Sequence, residues 1–77
     1  MYTIIGIENT QFKDRETGVT YQGVRLHCTY EKENMDGFAV ESIYCNSRVD
    51  LEGITVGDVC EIYYNKFGKV SHVRKVA

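Results

Sequence analysis

The segment from Val56 to Val76 is patterned as a β-hairpin, and the rest of the fold can be built outward from it. Val-Gly-Asp leads into an alternating aromatic and apolar stretch, Val59 to Lys66; Phe67-Gly68 turns the chain; Lys69 to Val76 returns as a basic strand. Alternation with a period of two is the signature of a half-buried strand, and a short glycine-containing link between two such runs reads as a hairpin turn. A chain that commits this much of its length to a hairpin must cover the hairpin's apolar face with more sheet. With 77 residues, only one domain is available to do so.

The remaining strands follow from the same pattern. Residues 2–12 are rich in β-branched and aromatic types, with Gly6 marking a bend or bulge. Lys13 to Gly18 is a polar loop, and Val19 to Lys32 is a second strand. In that strand Val24, Leu26, Cys28 and Tyr30 share one face while Arg25, His27, Thr29 and Glu31 share the other. Val19 and Tyr21 are out of phase with this run, which predicts a bulge or bend at Gly23. Glu33 to Gly37 carries an Asp-Gly turn signal. Phe38 to Asn46 is a third strand in which Phe38 and Val40 alternate and Ile43 falls out of phase, so an irregularity is expected near Glu41-Ser42. Residues 47–55 break the strand pattern and leave room for a turn or one helical turn capped by Asp50. Five strands with the longer connection between the third and fourth give an all-β fold, a small OB-like or SH3-like barrel. A closed sheet removes the exposed edges that a small all-β chain would otherwise present. Six Tyr and three Phe, with no Trp or Pro, suit a small barrel whose core volume comes from aromatics.

Composition narrows the functional classes. No apolar run approaches the roughly 20 residues that span a bilayer, and Met-Tyr-Thr-Ile-Ile-Gly lacks the pattern of a signal peptide. The expected compartment is therefore the cytoplasm, with no membrane partner. Cys28, Cys45 and Cys60 are odd in number, form no C-x-x-C pair and lie within predicted strands, where a free thiol acts as a small buried hydrophobe. His27 and His72 read as solvent-facing strand residues. No nucleophile, phosphate-loop or metal-binding motif is present, so neither catalysis nor a metal or cofactor is expected.

Charge is uneven. Residues 31–57 carry six acidic side chains against two basic ones, whereas residues 58–77 carry four basic against two acidic, within a net charge of −2. Anion binding must come from a local patch. The last hairpin supplies one: Tyr63, Tyr64 and Phe67 lie beside Lys66, Lys69 and Arg74, and Arg25 and His27 with Tyr21 extend the surface from the second strand. Single-stranded nucleic acid is held by bases stacked on aromatic rings while cations follow the phosphates. Adjacent strand residues face opposite ways, so one of Tyr63 and Tyr64 faces the core and the other points outward. The same aromatics suit a second role, an interface for self-association as a homodimer or for a protein partner.

The strands Leu26-His27-Cys28-Thr29-Tyr30-Glu31 and Ala39-Val40-Glu41-Ser42-Ile43-Tyr44, with the Val56-Gly57-Asp58 and Tyr64-Asn65-Lys66-Phe67-Gly68-Lys69-Val70 segments, resemble small uncharacterised proteins of Gram-positive bacteria and their phages or conjugative elements. In plan, though not in motif, the chain is similar to the single-stranded-DNA-binding proteins of filamentous phages, which are small dimeric OB-like barrels. That resemblance implies a non-catalytic DNA-binding module of a mobile element.

Overall fold

Alternating apolar positions become strands because each strand can bury one face and pair its backbone on both sides. The computed structural model describes residues 1–76, in which five strands form: β1 (Tyr2–Lys13), β2 (Thr20–Tyr30), β3 (Ala39–Asn46), β4 (Val59–Tyr64) and β5 (Val70–Lys75). All pairings are antiparallel, in one sheet of order β3-β2-β1-β4-β5. The described residues form no helix, and so none long and apolar enough to cross a membrane. The sheet curls so that its edge strands β3 and β5 approach each other, but no ladder joins them and the sheet is not closed.

β1 joins the β1–β2–β3 meander to the β4–β5 hairpin. It pairs with β2 along nearly its whole length, from Thr3↔Thr29 to Lys13↔Thr20. Its pairing with β4 is short, Tyr2↔Cys60 and Thr3↔Val59. Two further backbone bonds extend this junction, from Ile4 N–H to the Asp58 carbonyl at 2.9 Å and from Gly57 N–H to the Ile4 carbonyl at 2.8 Å. The register of β1 on β2 then slips between Ile4 and Gly6, which makes Ile5 the extra residue of a bulge. The bend expected at Gly6 is therefore present, and it ends the pairing with β4. Beyond it, the edge of β1 that faces away from β2 has no backbone partner among the described residues. A second slip lies between Tyr63 and Tyr64, where Ser71 is the extra residue and its hydroxyl donates to the Tyr63 carbonyl at 3.2 Å.

The core is aliphatic and sulfur-rich. Ile4, Leu26, Cys28, Ile43, Cys45, Val49, Cys60, Val70 and Val73 form one cluster. The three thiols are free and fully buried. Burial, with the neighbouring Cys60 and Cys45, pushes the Cys28 thiol up to about 11, so it is an inert packing group. Contrary to expectation, aromatics do not supply the core volume: Tyr2 and Tyr30 are half-buried and the other seven rings are exposed.

Three local expectations are corrected. The ladder through Gly23 is continuous, Thr10↔Gly23↔Asn46, so no bulge forms there. The β2–β3 ladder is equally regular from Tyr30↔Ala39 to Gly23↔Asn46. Ile43 belongs to the inward phase with Ala39 and Cys45, and it is Phe38 and Val40 that point out, 60% and 69% exposed. Residues 47–58 contain turns and no helical turn. There the Asp50 carboxylate accepts from Glu52 N–H at 2.9 Å, stabilising a turn in place of a helix cap. Val49, Leu51 and Ile54 of this connection pack against the core.

Asp58 locks the approach to β4. Its Oδ2 accepts from Thr55 N–H at 2.8 Å and from the Thr55 hydroxyl at 3.2 Å, while Lys75 Nζ of β5 lies 3.5 Å from Oδ1. The Thr55 N–H, the Thr55 hydroxyl and the Lys75 ammonium hold its carboxyl below the ordinary 3.8, against a smaller opposing effect of desolvation. A carboxylate depressed in the folded state stabilises above its unfolded pKa, and that contribution is lost as the pH falls through the folded value. Asp58→Asn is therefore expected to lower the urea midpoint at pH 7, and the gap from the parent chain should close as unfolding is repeated at pH values progressively below 3.8.

Candidate functional site

Register decides which side chains share a surface. The pairs Glu8↔Arg25, Thr10↔Gly23 and Phe12↔Tyr21, continued by Arg25↔Tyr44 and Gly23↔Asn46, put these residues on the outer face of β1, β2 and β3. Phe12, Tyr21 and Tyr44 are 65%, 50% and 48% exposed on that face. The Phe12 and Tyr21 rings stack with centroids 6.5 Å apart and planes at 26°. Tyr44 lies over Gly23: a Cβ at Gly23 would fall 2.5 Å from the Tyr44 oxygen and 2.6 Å from Cε2. Gly23 is thus needed for close approach of a ring, a common use of glycine within a strand.

A shallow groove runs between these rings, lined by Phe12, Tyr21, Arg25 and Tyr44. A second groove continues from Tyr21 and Tyr44 to Asn46, Arg48 and Lys69. A third, of about 470 Å³, shares Tyr44, Asn46 and Lys69 and lies in the open seam between β3 and the β4–β5 hairpin, where Glu41 and Tyr64 complete it. The three form one path across the strands. Arg25, Arg48 and Lys69 supply its positive charge, and among the described residues none of them is in an ion pair.

Two turns frame the path. At the β1–β2 tip the Asp14 carboxylate accepts from Glu16 N–H at 2.8 Å, and Gly18 takes a φ of 73°. At the β4–β5 tip Asn65 Oδ1 accepts from Phe67 N–H at 2.9 Å and Lys69 N–H at 3.1 Å, with Gly68 at φ 77°. This Asx turn holds Phe67 outward, 74% exposed, with Lys66 Nζ 5.2 Å from its ring centroid.

The hairpin residues singled out in the sequence divide between two surfaces. Tyr64 shares the inward phase of Cys60 and Ile62, lies at the rim and borders the seam groove. Burial and the Glu41 charge push its hydroxyl up. Tyr63 points outward on β4, donates to Glu61 and meets the His72 ring edge-on at 5.2 Å. Arg74 donates to Glu61 at 3.0 Å on the same side, and the shared Glu61 carboxyl is held low by Tyr63 first and Arg74 second. Arg25, Tyr64 and Lys69 thus line the path, Lys66 and Phe67 stand at its end, and Tyr63 and Arg74 are engaged on the outer face of β4 and β5. Sequence reasoning missed Phe12, Tyr44 and Arg48. The phase of β3 carried the signal for Tyr44, since Ile43 and Cys45 buried together force it outward.

His27 Nε2 lies 3.0 Å from Glu8 Oε1 on the outer face, while its neighbour Cys28 is buried. Among the described residues no group of three His, Cys, Asp or Glu side chains could hold a metal ion. Compared with known families, curated proteins and solved structures, the chain matches none of them, so the reading of this surface rests on its chemistry.

Gly23→Ala tests the geometry. The backbone tolerates alanine at this position, but the new methyl displaces the Tyr44 ring. The Tyr44 aromatic resonances are expected to shift in NMR spectra, with stability changed by less than about 1 kcal/mol because an exposed ring can swing aside.

Proposed function

We propose that this chain is a non-catalytic module that binds single-stranded nucleic acid across the outer face of β1, β2 and β3. The observation that carries the reading is the set of exposed rings Phe12, Tyr21 and Tyr44 on neighbouring strands, with Arg25 among them. Exposed rings cost hydration, and soluble chains rarely group them without a ligand to cover them. Bases stack on such rings regardless of sequence, while Arg25, Arg48 and Lys69 follow the phosphates. The strand order supports an OB-like plan, in which the β2–β3 face and the loops β1–β2 and β4–β5 bind oligonucleotides. The two turns that frame the path are those two loops. The setting proposed for the chain is a phage or conjugative element, as the resemblance stated for its strands implies.

Fluorescence anisotropy with a labelled oligo-dT of about 12 nucleotides tests this. Binding is expected at low salt. Three phosphate contacts predict a slope of log K against log salt of about −2. Tyr44→Ala and Tyr21→Ala should each weaken binding about fivefold to a hundredfold, the worth of one stacked base. Absence of binding at low salt overturns the reading.

Self-association is a second reading, carried by the unpaired edge of β1 beyond Ile4, flanked by exposed Ile5 and Ile7. Light scattering across a concentration series is expected to show a monomer–dimer equilibrium if that edge pairs with a second copy. A constant monomer mass rules this out.

A further inference from the structure

We infer that the seam between β3 and the β4–β5 hairpin is a base-reading subsite that selects guanine. The inference rests on the nucleic-acid reading above and adds sequence preference to it.

The seam differs chemically from the rest of the path. Elsewhere the lining is aromatic, cationic or uncharged polar and contains no carboxylate. Here the lining includes a carboxylate, Glu41, together with Tyr44, Tyr64, Asn46 and Lys69. A volume of about 470 Å³ is within the roughly 300–1,000 Å³ of small-ligand sites and accommodates one nucleotide. Glu41 sits on the inward side of β3, opposite Cys28, at the exposed border of the sheet. Among the described residues it has neither an ion-pair partner nor a side-chain hydrogen bond, so its oxygens are free to accept.

A carboxylate repels the phosphate backbone, so what approaches Glu41 along a bound strand is a base edge. An ionised carboxylate only accepts hydrogen bonds. Guanine alone presents two adjacent donors, N1–H and N2–H, that meet both oxygens. Cytosine and adenine each set a ring acceptor beside their amino group, and thymine flanks its single N–H with two carbonyls. Each of these turns a lone pair toward one carboxylate oxygen. Recognition of unstacked bases by hydrogen bonds to their Watson–Crick edges, with aromatic rings on their faces, is the general mode for single strands. Lys69 is placed to take the flanking phosphate, and the Asn46 side-chain oxygen is already occupied by Arg48 N–H at 2.9 Å, which leaves its amide hydrogens free for the strand.

The test compares two labelled oligonucleotides of equal length at low salt, oligo-dT and the same strand with one central dG. The parent chain is expected to bind the dG strand about tenfold more tightly, the discrimination a bidentate base contact provides. Replacing that dG by inosine, which lacks the N2 amino group, should remove most of the gain. Glu41→Ala should bring the dG/dT ratio to within about twofold and tighten dT binding by removing a repulsive charge. Phe38→Ala, just before β3 and outside the lining of the seam, should keep the ratio. Equal binding of both strands by the parent chain, or a preference that survives Glu41→Ala, overturns the guanine subsite and leaves the aromatic face standing. No binding of either strand overturns both.

Discussion

The architecture depends on one narrow backbone junction, where the first few residues of β1 reach across to β4. Two paired positions, Tyr2↔Cys60 and Thr3↔Val59, and the two bonds between Ile4 and the Gly57-Asp58 corner join the two halves of the sheet. Every other ladder belongs to the β1–β2–β3 meander or to the β4–β5 hairpin. Ile4, fully buried at the junction, is also part of the core that both halves cover. The Asp58 carboxylate secures the corner from behind by holding Thr55 and attracting Lys75. The bulge at Ile5 limits the junction to its present length, because the extra residue turns the rest of β1 away from β4.

The position of the rings follows from the core. A small curled sheet has little interior, and here Ile, Leu, Val and three thiols occupy it. Cysteine is compact enough to let β2, β3 and β4 draw together, and burial keeps its thiol protonated and unreactive. With the interior taken, the aromatics lie at the rim or outside. Those on β1, β2 and β3 converge because antiparallel register aligns Phe12 with Tyr21 and Arg25 with Tyr44. The surface is a consequence of how the core is filled as much as of the rings themselves.

Much of the fold was legible in the sequence. The alternation of Val24 to Tyr30, the Asp-Gly turn and the Phe67-Gly68 turn located five strands to within about two residues at each end. Gly6 marked its bulge correctly. In β3 the alternation of Phe38 and Val40 made Ile43 look out of phase and suggested an irregularity near Glu41-Ser42, whereas the cross-strand partners Leu26 and Cys28 assign the interior to Ile43 and the phase of Glu41. Gly23 looked like a bend because a glycine in a strand signals either a bend or a close approach, and the distinction needs the partner ring. The site was legible only in part for the same reason. Local charge and aromatic density pointed to the last hairpin, but Phe12, Tyr21 and Tyr44 are distant in sequence and meet only through register. The curl of the sheet, which brings Glu41 toward Tyr64, left no trace in the linear pattern.

The bulge at Ile5 also divides the sheet into a part braced by β4 and a part that is not. Past Thr10 and Gly23, the end of β1 and the start of β2 form a two-stranded tip that pairs with neither β3 nor β4, and the chain is elongated, 45 Å by 26 Å by 25 Å. Backbone amides along the outer edge of that tip exchange with solvent through local openings that leave the core intact, whereas those of Leu26 and Cys28 require its disruption. The stacked Phe12–Tyr21 pair therefore lies on the two-stranded tip, while Tyr44 lies where β1, β2 and β3 are all paired. Any ligand laid across both regions would have to order that tip on binding, at a cost in conformational entropy.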